Sequence, residues 1–456
     1  MKKLQLILSQ ALTACFANDV DALIPELWAN EALLRLEKTL VMGNLVHRDY
    51  SDEIANFGDV VNTHRPSEFI SKRKDNSDSV TVQDVNTTNL AVRLDQHHHV
   101  SFLLKDGEEA KSFKDLVEMH LVPAAYAISD GIDQAIFGQA YDFLGNSAGK
   151  LGVDPSGPTI TALRTAMTNN KAPMGGRNLV MSPDVEGVLL NIDNFITADK
   201  VGDEGSALRE GSLGRKYGFQ MFTSHNAPSV SEIGANMVTA DVNNIGGYPA
   251  GTTTIDYDNG SSAFSIGGWI SVAGDDQPLK IVGDAAGTLT VSPATKYAIA
   301  DNAEIKGFEP ALINNLGGYP LLHSKDLIVD GGSTPQLGQL ATLGATNYGL
   351  VNEVSATNLI LNNSLQTAAA DNDVLGLGPA GNYAFGFNRN AIALVTRPLP
   401  TPKAGTGAAS AVVSDNGLGM RVTITYDGNK QGHLVTFDLL AGVATLDTNL
   451  GSLMLG

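Results

Sequence analysis

The chain has 456 residues, too many for one ordinary core, so two or three domains are expected. A hydrophobic fraction of 43% and a charged fraction of 17% belong to a folded globular chain, and 48 glycines against 2 tryptophans point to turn-rich β structure. Thirty basic against 49 acidic residues give a formal charge of −19, which argues against tight wrapping of nucleic acid but allows an acidic wall facing it; a single cysteine, Cys15, excludes a disulfide framework within the chain and a cysteine metal cage.

The first twenty residues, MKKLQLILSQALTACFANDV, place two lysines before an apolar run, as a signal peptide does. Gln5, Ser9, Gln10 and Thr13 interrupt the run. Leu4, Ile7, Leu8, Ala11, Leu12 and Cys15 fall on one helical face, which favours an amphipathic helix over a cleaved signal. No stretch of about 18 uninterrupted apolar residues occurs, so no membrane span is expected. Residues 1–46 read as a helical arm, with a second short helix, ANEALLRLEKTLV, after Trp28.

Residues 47–111 change character. DVVNTHR, between Gly58 and Pro66, is β-branched and reads as a strand ending at Arg65. SVTVQDV reads as a second strand through Val80, Val82 and Val85. NLAVRLDQHHHVSFLL reads as a third, with Leu90, Val92 and Leu94 on one side. Between them the polar SKRKDNSDS carries the one dense basic run of this region, Lys72, Arg73 and Lys74. The expectation is a long hairpin of two or three strands with an exposed, charged end. An isolated hairpin is marginal in water, so it needs a surface to lie on, and another chain can provide one.

A helix follows, capped by Ser112 with Asp115 three residues on. Its apolar stripe runs from Phe113 to Phe143, about 30 residues, and Pro123 must kink or divide it. Residues 158–235 read as α/β: PTITALRTAMTNN a helix, RNLVMSP a strand, DVEGVLLNIDNFI a helix started by Asp184. From Met237 to Lys306 helix signals vanish, and short strands between Gly, Asp and Asn turns suggest a small barrel or sandwich. Residues 307–380 show no assignable elements. The tail reads as strands, two of them joined by DGNKQG.

Candidate chemistry is thin. In a strand, His97 and His99 share a face and His98 takes the other with Val100 and Phe102. Two ligands at i and i+2 would need more from elsewhere, and Asp95 and Asp106 lack a motif spacing; packing is the favoured reading of the three histidines. GDD at Gly274–Asp276 and DYDNG at Asp256–Gly260 lack the spacing of a calcium loop and read as turns. No nucleophile elbow and no phosphate loop occurs. GGYP stands at Gly246–Pro249 and again at Gly317–Pro320, too short a match to establish a repeat.

Taken in order, LWANEALLRLEKTLVMGNLVHRDY through GDVVNTHRP, then HHHVSFLLKDGEEAKSFKDL, then YAFGFNRNAIALVTRPLP and the closing strands resemble the Hong-Kong-97-type major capsid proteins of tailed phages. The likeness is nearest to short-tailed-phage coat proteins with an inserted β domain. The resemblance implies an α+β fold: arm (1–46), extended hairpin loop (47–111), spine helix and peripheral part (112–157), axial domain (158–235), inserted β-rich domain and variable region (236–380), and a returning axial and peripheral segment (381–456). It implies a non-enzymatic subunit without cofactor, self-assembling into hexamers and pentamers of an icosahedral head in the host cytoplasm and residing in the virion. Scaffolding and portal proteins are implied partners, DNA is contacted only weakly, and no membrane is involved. Lys72, Arg73, Lys74, Arg65 and His98 are the expected assembly contacts. No lysine matches the position that cross-links neighbouring chains in some relatives. The alternative is a β-rich surface-binding or carbohydrate-recognition protein on a helical stem, supported by the Gly- and Asn-rich stretch 237–380. A metal hydrolase using the histidines is a third reading.

Overall fold

The computed structural model describes residues 20–48, 57–65, 71–76, 79–80, 82–83, 88–105, 117–196, 211, 213–230, 237–285, 287–308, 310–323, 326–332, 334–344, 346–355, 358–403, 407–415 and 417–456. The amphipathic segment before Val20, the Ser112 cap and Val85 therefore lie outside the described residues. Helix and strand are mixed within one chain.

Val20–Thr39 forms a single helix with Pro25 inside it; it contains most of the short helix expected after Trp28 and begins nine residues earlier. Trp28, Ala29, Ala32, Leu33 and Leu36 are buried, the spacing of one helical face. That face packs on a sheet, where the Trp28 ring lies 6.3 Å from both Phe102 and Phe437. The short turn Met42–Asn44 then meets the long helix (Val122–Gln139). Asp133 of that helix accepts from the Val41 and Gly43 amides at 2.8 and 2.9 Å. Burial pushes the Asp133 carboxyl up to about 6, against the pull of those backbone donors.

β1 (Val60–Arg65) and β2 (Thr88–Arg93) pair antiparallel as a two-stranded sheet, Val60 opposite Arg93 and Arg65 opposite Thr88. The expected strand through Val80 and Val82 is not formed there: both are exposed and outside any strand. Alternation with polar residues cannot hold a strand that has no paired edge and no surface beneath it. The expected third strand divides in two: its first half is β2, the hairpin's second strand, and its second half leaves the hairpin. The chain breaks at Leu94–Asp95, and β3 (Gln96–Lys105) crosses to pair with β25 (Gly432–Thr445), His98 opposite Leu439.

From Val117 on, the long helical stripe is continuous but changes pitch: a π-helical turn at Val117–Leu121, α-helix over Val122–Gln139, and 3₁₀ geometry at Ala140–Asn146. Pro123 sits in the first α turn, directly after the π-helical turn, and changes the helix's pitch there without ending it.

The α/β part is built on one sheet. Its path runs β4 (Ala148–Gly149), β26 (Gly451–Leu455), β21 (Gly381–Asn388), β5 (Arg177–Met181), β7 (Phe219–Thr223) and β6 (Arg215–Lys216), with β8 (Ser229–Val230) on one end of β21. Helix Gly157–Asn169 packs Ile160, Leu163 and Met167 into its core. Helix Pro183–Leu190 starts at Ser182, whose Oγ accepts from the Val185 amide at 3.4 Å; Asp184 stands inside the first turn instead of capping it. The closing sheet joins β22 (Ile392–Arg397), β25, β24 (Leu418–Asp427) and β23 (Ala408–Asp415), with β3 on the other side of β25.

Residues 237–377 fold as two closed six-stranded barrels in tandem. The first comprises β9 (Met237–Val242), β10 (Thr254–Asp258), β11 (Trp269–Val272), β12 (Leu279–Asp284), β13 (Thr288–Ser292) and β14 (Glu304–Phe308). The second comprises β15 (Ala311–Ile313), β16 (Leu327–Asp330), β17 (Leu340–Leu343), β18 (Thr346–Val354), β19 (Asn358–Leu361) and β20 (Val374–Leu377). The circuits β9-β10-β13-β12-β11-β14 and β15-β16-β19-β18-β17-β20 are the same topology, each strand six places on. Closure leaves neither barrel an open edge. Each encloses its own core, one around Ile255, Ile270 and Ile305, the other around Leu327, Leu359 and Leu375.

The two GGYP segments occupy the same place in the two barrels. Asn244 Nδ2 donates to Gly247 O at 2.8 Å, and Asn315 Nδ2 to Gly318 O at 2.9 Å. Asp301 accepts from the Asn244 amide at 3.0 Å, and Asp371 from the Asn315 amide at 2.9 Å. Tyr248 Oη accepts from the Asp256 amide at 2.9 Å, and Tyr319 Oη from the Ile328 amide at 2.8 Å. Gly247 (φ +65°) and Gly318 (φ +62°) are left-handed, and a β-carbon there would lie 2.4 and 2.5 Å from the carbonyls of Ile299 and Ala369. The short sequence match is thus the visible part of a repeated structural unit.

Candidate functional site

The root of the hairpin, LDQHHH, is where the second barrel joins the body. Gln96 Nε2 donates to Asn363 Oδ1 at 2.6 Å. Asp95 Oδ2 accepts from Ser364 Oγ at 2.7 Å and from Gln366 Nε2 at 2.8 Å. Burial raises the Asp95 pKa, and these donors oppose the rise. Asn362 reaches the long helix: its Nδ2 donates to Gln134 O at 2.7 Å while its Oδ1 accepts from the Leu350 amide at 2.9 Å. A β-carbon at Gly138 would stand 2.6 Å from Asn362 Nδ2. One helical heptad earlier, a β-carbon at Gly131 would stand 2.9 Å from His98 Nδ1. Two glycines seven apart therefore notch one side of the helix for the hairpin root and for the barrel.

The three histidines divide as a strand requires. His98 is half-buried and turned to the helix, its Nε2 3.4 Å from Gln96 Oε1. Burial first, then the charges of His97 and His99, push its pKa down to about 4. His97 and His99 are exposed, with ring centroids 5.8 Å apart. His97 Nε2 lies 3.7 Å from Asp438, which also takes a two-toothed contact from Arg421. Burial works against the Asp438 carboxylate, yet hydrogen bonds from His97 and Arg421 hold its pKa below the usual value.

The first barrel is anchored through GDDQ. Ser147 Oγ donates to Gln277 Oε1 and Gln277 Nε2 to Gly149 O, both at 2.6 Å. The Leu151 amide donates to Asp276 O at 2.9 Å, and Lys150 Nζ lies 3.3 Å from Asp276 Oδ2. Asp275 turns into its own barrel and accepts from the Lys296 and Tyr297 amides at 2.8 and 2.6 Å. In DYDNG, Asp256 accepts from Tyr248 Oη and Thr288 Oγ1. Both segments spend carboxylates on structural bonds. Among the described residues no group of three or more His, Cys, Asp or Glu is placed to hold a metal. The barrels also meet directly, Trp269 Nε1 donating to Thr342 Oγ1 at 3.1 Å.

The far end of the hairpin is solvent-exposed. Every described residue from Ser71 to Val82 is exposed, Lys72, Arg73, Lys74, Val80 and Val82 among them. Arg65 is the last residue of β1, opposite Thr88; its side chain lies outside the described residues. Among the described residues, β1 and β2 pair with no other strand. The basic run and the histidines are not brought together: one lies at the far end, the other at the root. Asn362, Asn363, Ser364, Gln277 and the two helix glycines carried no motif in the sequence. The turn-rich strands from Met237 to Lys306 marked the first barrel, and in the second only the repeated GGYP gave a sign.

No family model matches the chain, and no curated protein matches it. Solved structures with which it shares similarity include one described as Mycobacterium phage Che8, 12% identical, covering 91% of this chain and 90% of that chain with a TM-score of 0.42. The capsid structure of Cyanophage P-SCSP1u is 12% identical over 91% of this chain and 88% of that one, TM-score 0.41. The capsid structure of Staphylococcus phage Andhra is 10% identical over 90% and 84%, TM-score 0.38. No described helix is long and apolar enough to cross a membrane.

Proposed function

We propose that the chain is a shell-forming subunit, the major capsid protein of a tailed phage. Its fold is then of Hong-Kong-97 type with an insertion made of two barrels. One observation carries this reading. A two-stranded hairpin is rooted firmly in its own chain, through Gln96, Asp95 and His98, and ends in a segment exposed at every described residue from Ser71 to Val82. At its near end Val61 and Val92 pack with Val395 and Leu440 of the closing sheet; the exposed far end lies beyond that cluster, and a neighbouring copy supplies the surface there. The basic run at its far end meets the acidic surface of a protein with net charge −19.

Hairpin and receiving surface are different patches, so the contact is heterologous and closes into rings, here hexamers and pentamers. Lys72, Arg73, Lys74 and Arg65 act in that contact directly. His98 acts through its own chain, by fixing the hairpin root against the long helix. The acid surplus lets packaged DNA lie against the inner wall without being gripped. Scaffolding and portal proteins complete the head, which is assembled in the host cytoplasm, and neither a cofactor nor catalysis is called for.

Negative-stain micrographs of the purified, expressed chain test this. Closed shells or five- and six-membered rings are expected; a uniform field of single small particles would refute it.

A further inference from the structure

The loop Asn-Asn-aliphatic-Gly-Gly-Tyr-Pro occurs twice, so the chain offers a comparison with itself. The fold accounts for most of the loop: the asparagines and tyrosines tie backbone groups, and the second glycines are left-handed against a carbonyl. It does not account for the aliphatic residue. Ile245 is 96% exposed and Leu316 is 97% exposed. The barrels have diverged where their surroundings differ: the first has GDDQ after β11, which binds the body, and the second has Gly344, Ala345 and Thr346 after β17. A single exposed aliphatic residue needs no explanation. Two of them, kept at the same point of two diverged copies and held on a tied turn, point to a contact outside the chain.

A matching surface lies between the barrels. A groove of about 660 Å³ is lined by Ile266 and Val282 of the first barrel and by Leu343 and Val374 of the second. Ile266 and Val282 are each 56% exposed. Lys280 lines the same groove and its Nζ donates to Gly344 O; none of the ion pairs among the described residues includes it, although Asp373 also lines the groove. Burial lowers its pKa. The groove thus combines apolar walls with an ammonium that is held by a backbone carbonyl and makes no ion pair. Each tip combines an aliphatic side chain with a carboxylate, Asp301 or Asp371, bonded to the adjacent asparagine amide.

We propose that this groove receives an aliphatic tip, Ile245 or Leu316, from a second copy of the chain, with the tip's Asp301 or Asp371 facing Lys280. The proposal rests on the shell-subunit reading and adds a contact to it. Tip and groove are separate patches of one surface, so the contact is heterologous, as a ring requires. A single tip covers far less than the about 1,200 Å² of a stable pairwise interface, so it acts beside the hairpin contact and cannot hold a dimer alone.

The test uses full-length chains with the sole cysteine, Cys15, replaced by Ser. One variant carries Ile245→Cys and Leu316→Cys, the other Val282→Cys. They are mixed before assembly and oxidised afterwards, so that a tip-to-groove disulfide can form only between copies. A disulfide-linked dimer containing both variants is expected, and Lys280→Glu in the groove variant should lower its yield at least several-fold. Assembly without that dimer would overturn the proposal while leaving the shell reading intact, as would a dimer of the tip variant alone. Absence of any assembly from the unaltered chain would overturn both.

Discussion

Gln96 and Asn363 stand 267 residues apart and share a hydrogen bond of 2.6 Å, with both side chains buried. That bond ties the second barrel to the root of the hairpin. Asn363→Ala leaves the Gln96 amide buried without its acceptor, which costs about 1–3 kcal/mol. Denaturant unfolding of the variant should show that loss. Unchanged stability would mean that the barrel is held mainly by other contacts.

The notched helix gives a second expectation. In an open helix, Gly→Ala is favourable by about 1 kcal/mol. At Gly131 and Gly138 the new β-carbon meets His98 Nδ1 at 2.9 Å and Asn362 Nδ2 at 2.6 Å, and overpacking of this kind costs about 1–3 kcal/mol. Steric cost wins, so each variant should melt at a lower temperature than the parent. Gly145, which has nothing within 4 Å of a β-carbon, is the control and should tolerate Ala far better.

Two buried groups oppose one another in their response to pH. The His98 pKa is depressed to about 4, so below about 6.5 the unfolded chain binds the extra proton and stability falls as the medium is acidified towards 4. His97 and His99, on the opposite face of the strand, push the His98 pKa in the same direction. The Asp133 pKa is raised to about 6, so between 3.8 and 6 the native chain binds the extra proton and stability falls as pH rises through that window. Each displacement corresponds to about 3 kcal/mol at most, and in the shared window from 4 to 6 they nearly cancel. Unfolding followed across this window should therefore change little from these two groups. His98→Gln should leave a protein that becomes relatively more stable as pH drops, and Asp133→Asn one that becomes less stable. Parallel pH profiles for the two variants would contradict this assignment.

Charge reversal at Lys72, Arg73 and Lys74 separates folding from assembly. These residues are exposed, and exposed pairs contribute about 0–1 kcal/mol each, so the melting of the isolated chain should not move measurably. Repeated around a ring, the same small terms act together on association. The triple Glu variant should assemble poorly while its circular dichroism spectrum matches the parent. Normal shells in normal yield would remove the basic run from the contact.

What the sequence made legible follows from the range of the interactions. Period-two alternation set His98 on the side of Val100 and Phe102, away from His97 and His99, and that is the side facing the long helix. Local turn chemistry, DGNKQG, marked β24 and β25, and short local patterns marked β5 and helix Gly157–Asn169. The same local logic misplaced one cap, choosing Asp184 over Ser182, and saw a strand at Val80 and Val82, where tertiary support is absent. The bonds that tie the hairpin root to the second barrel were not legible. Asp95 and Gln96 are ordinary polar residues until Asn363, Ser364 and Gln366 arrive from more than 260 positions away. Residues 307–380 were opaque because the strands of the second barrel are mostly three to five residues long, too short for periodicity to declare itself.

The central claim is that this chain exists to associate with itself. Sedimentation velocity of the purified full-length protein, run over a series of concentrations, tests it most directly. The account predicts a slow monomer giving way to ring-sized and shell-sized species as concentration rises, with the triple Glu variant held at the slow boundary. A single monomeric boundary at every concentration, for parent and variant alike, would contradict it.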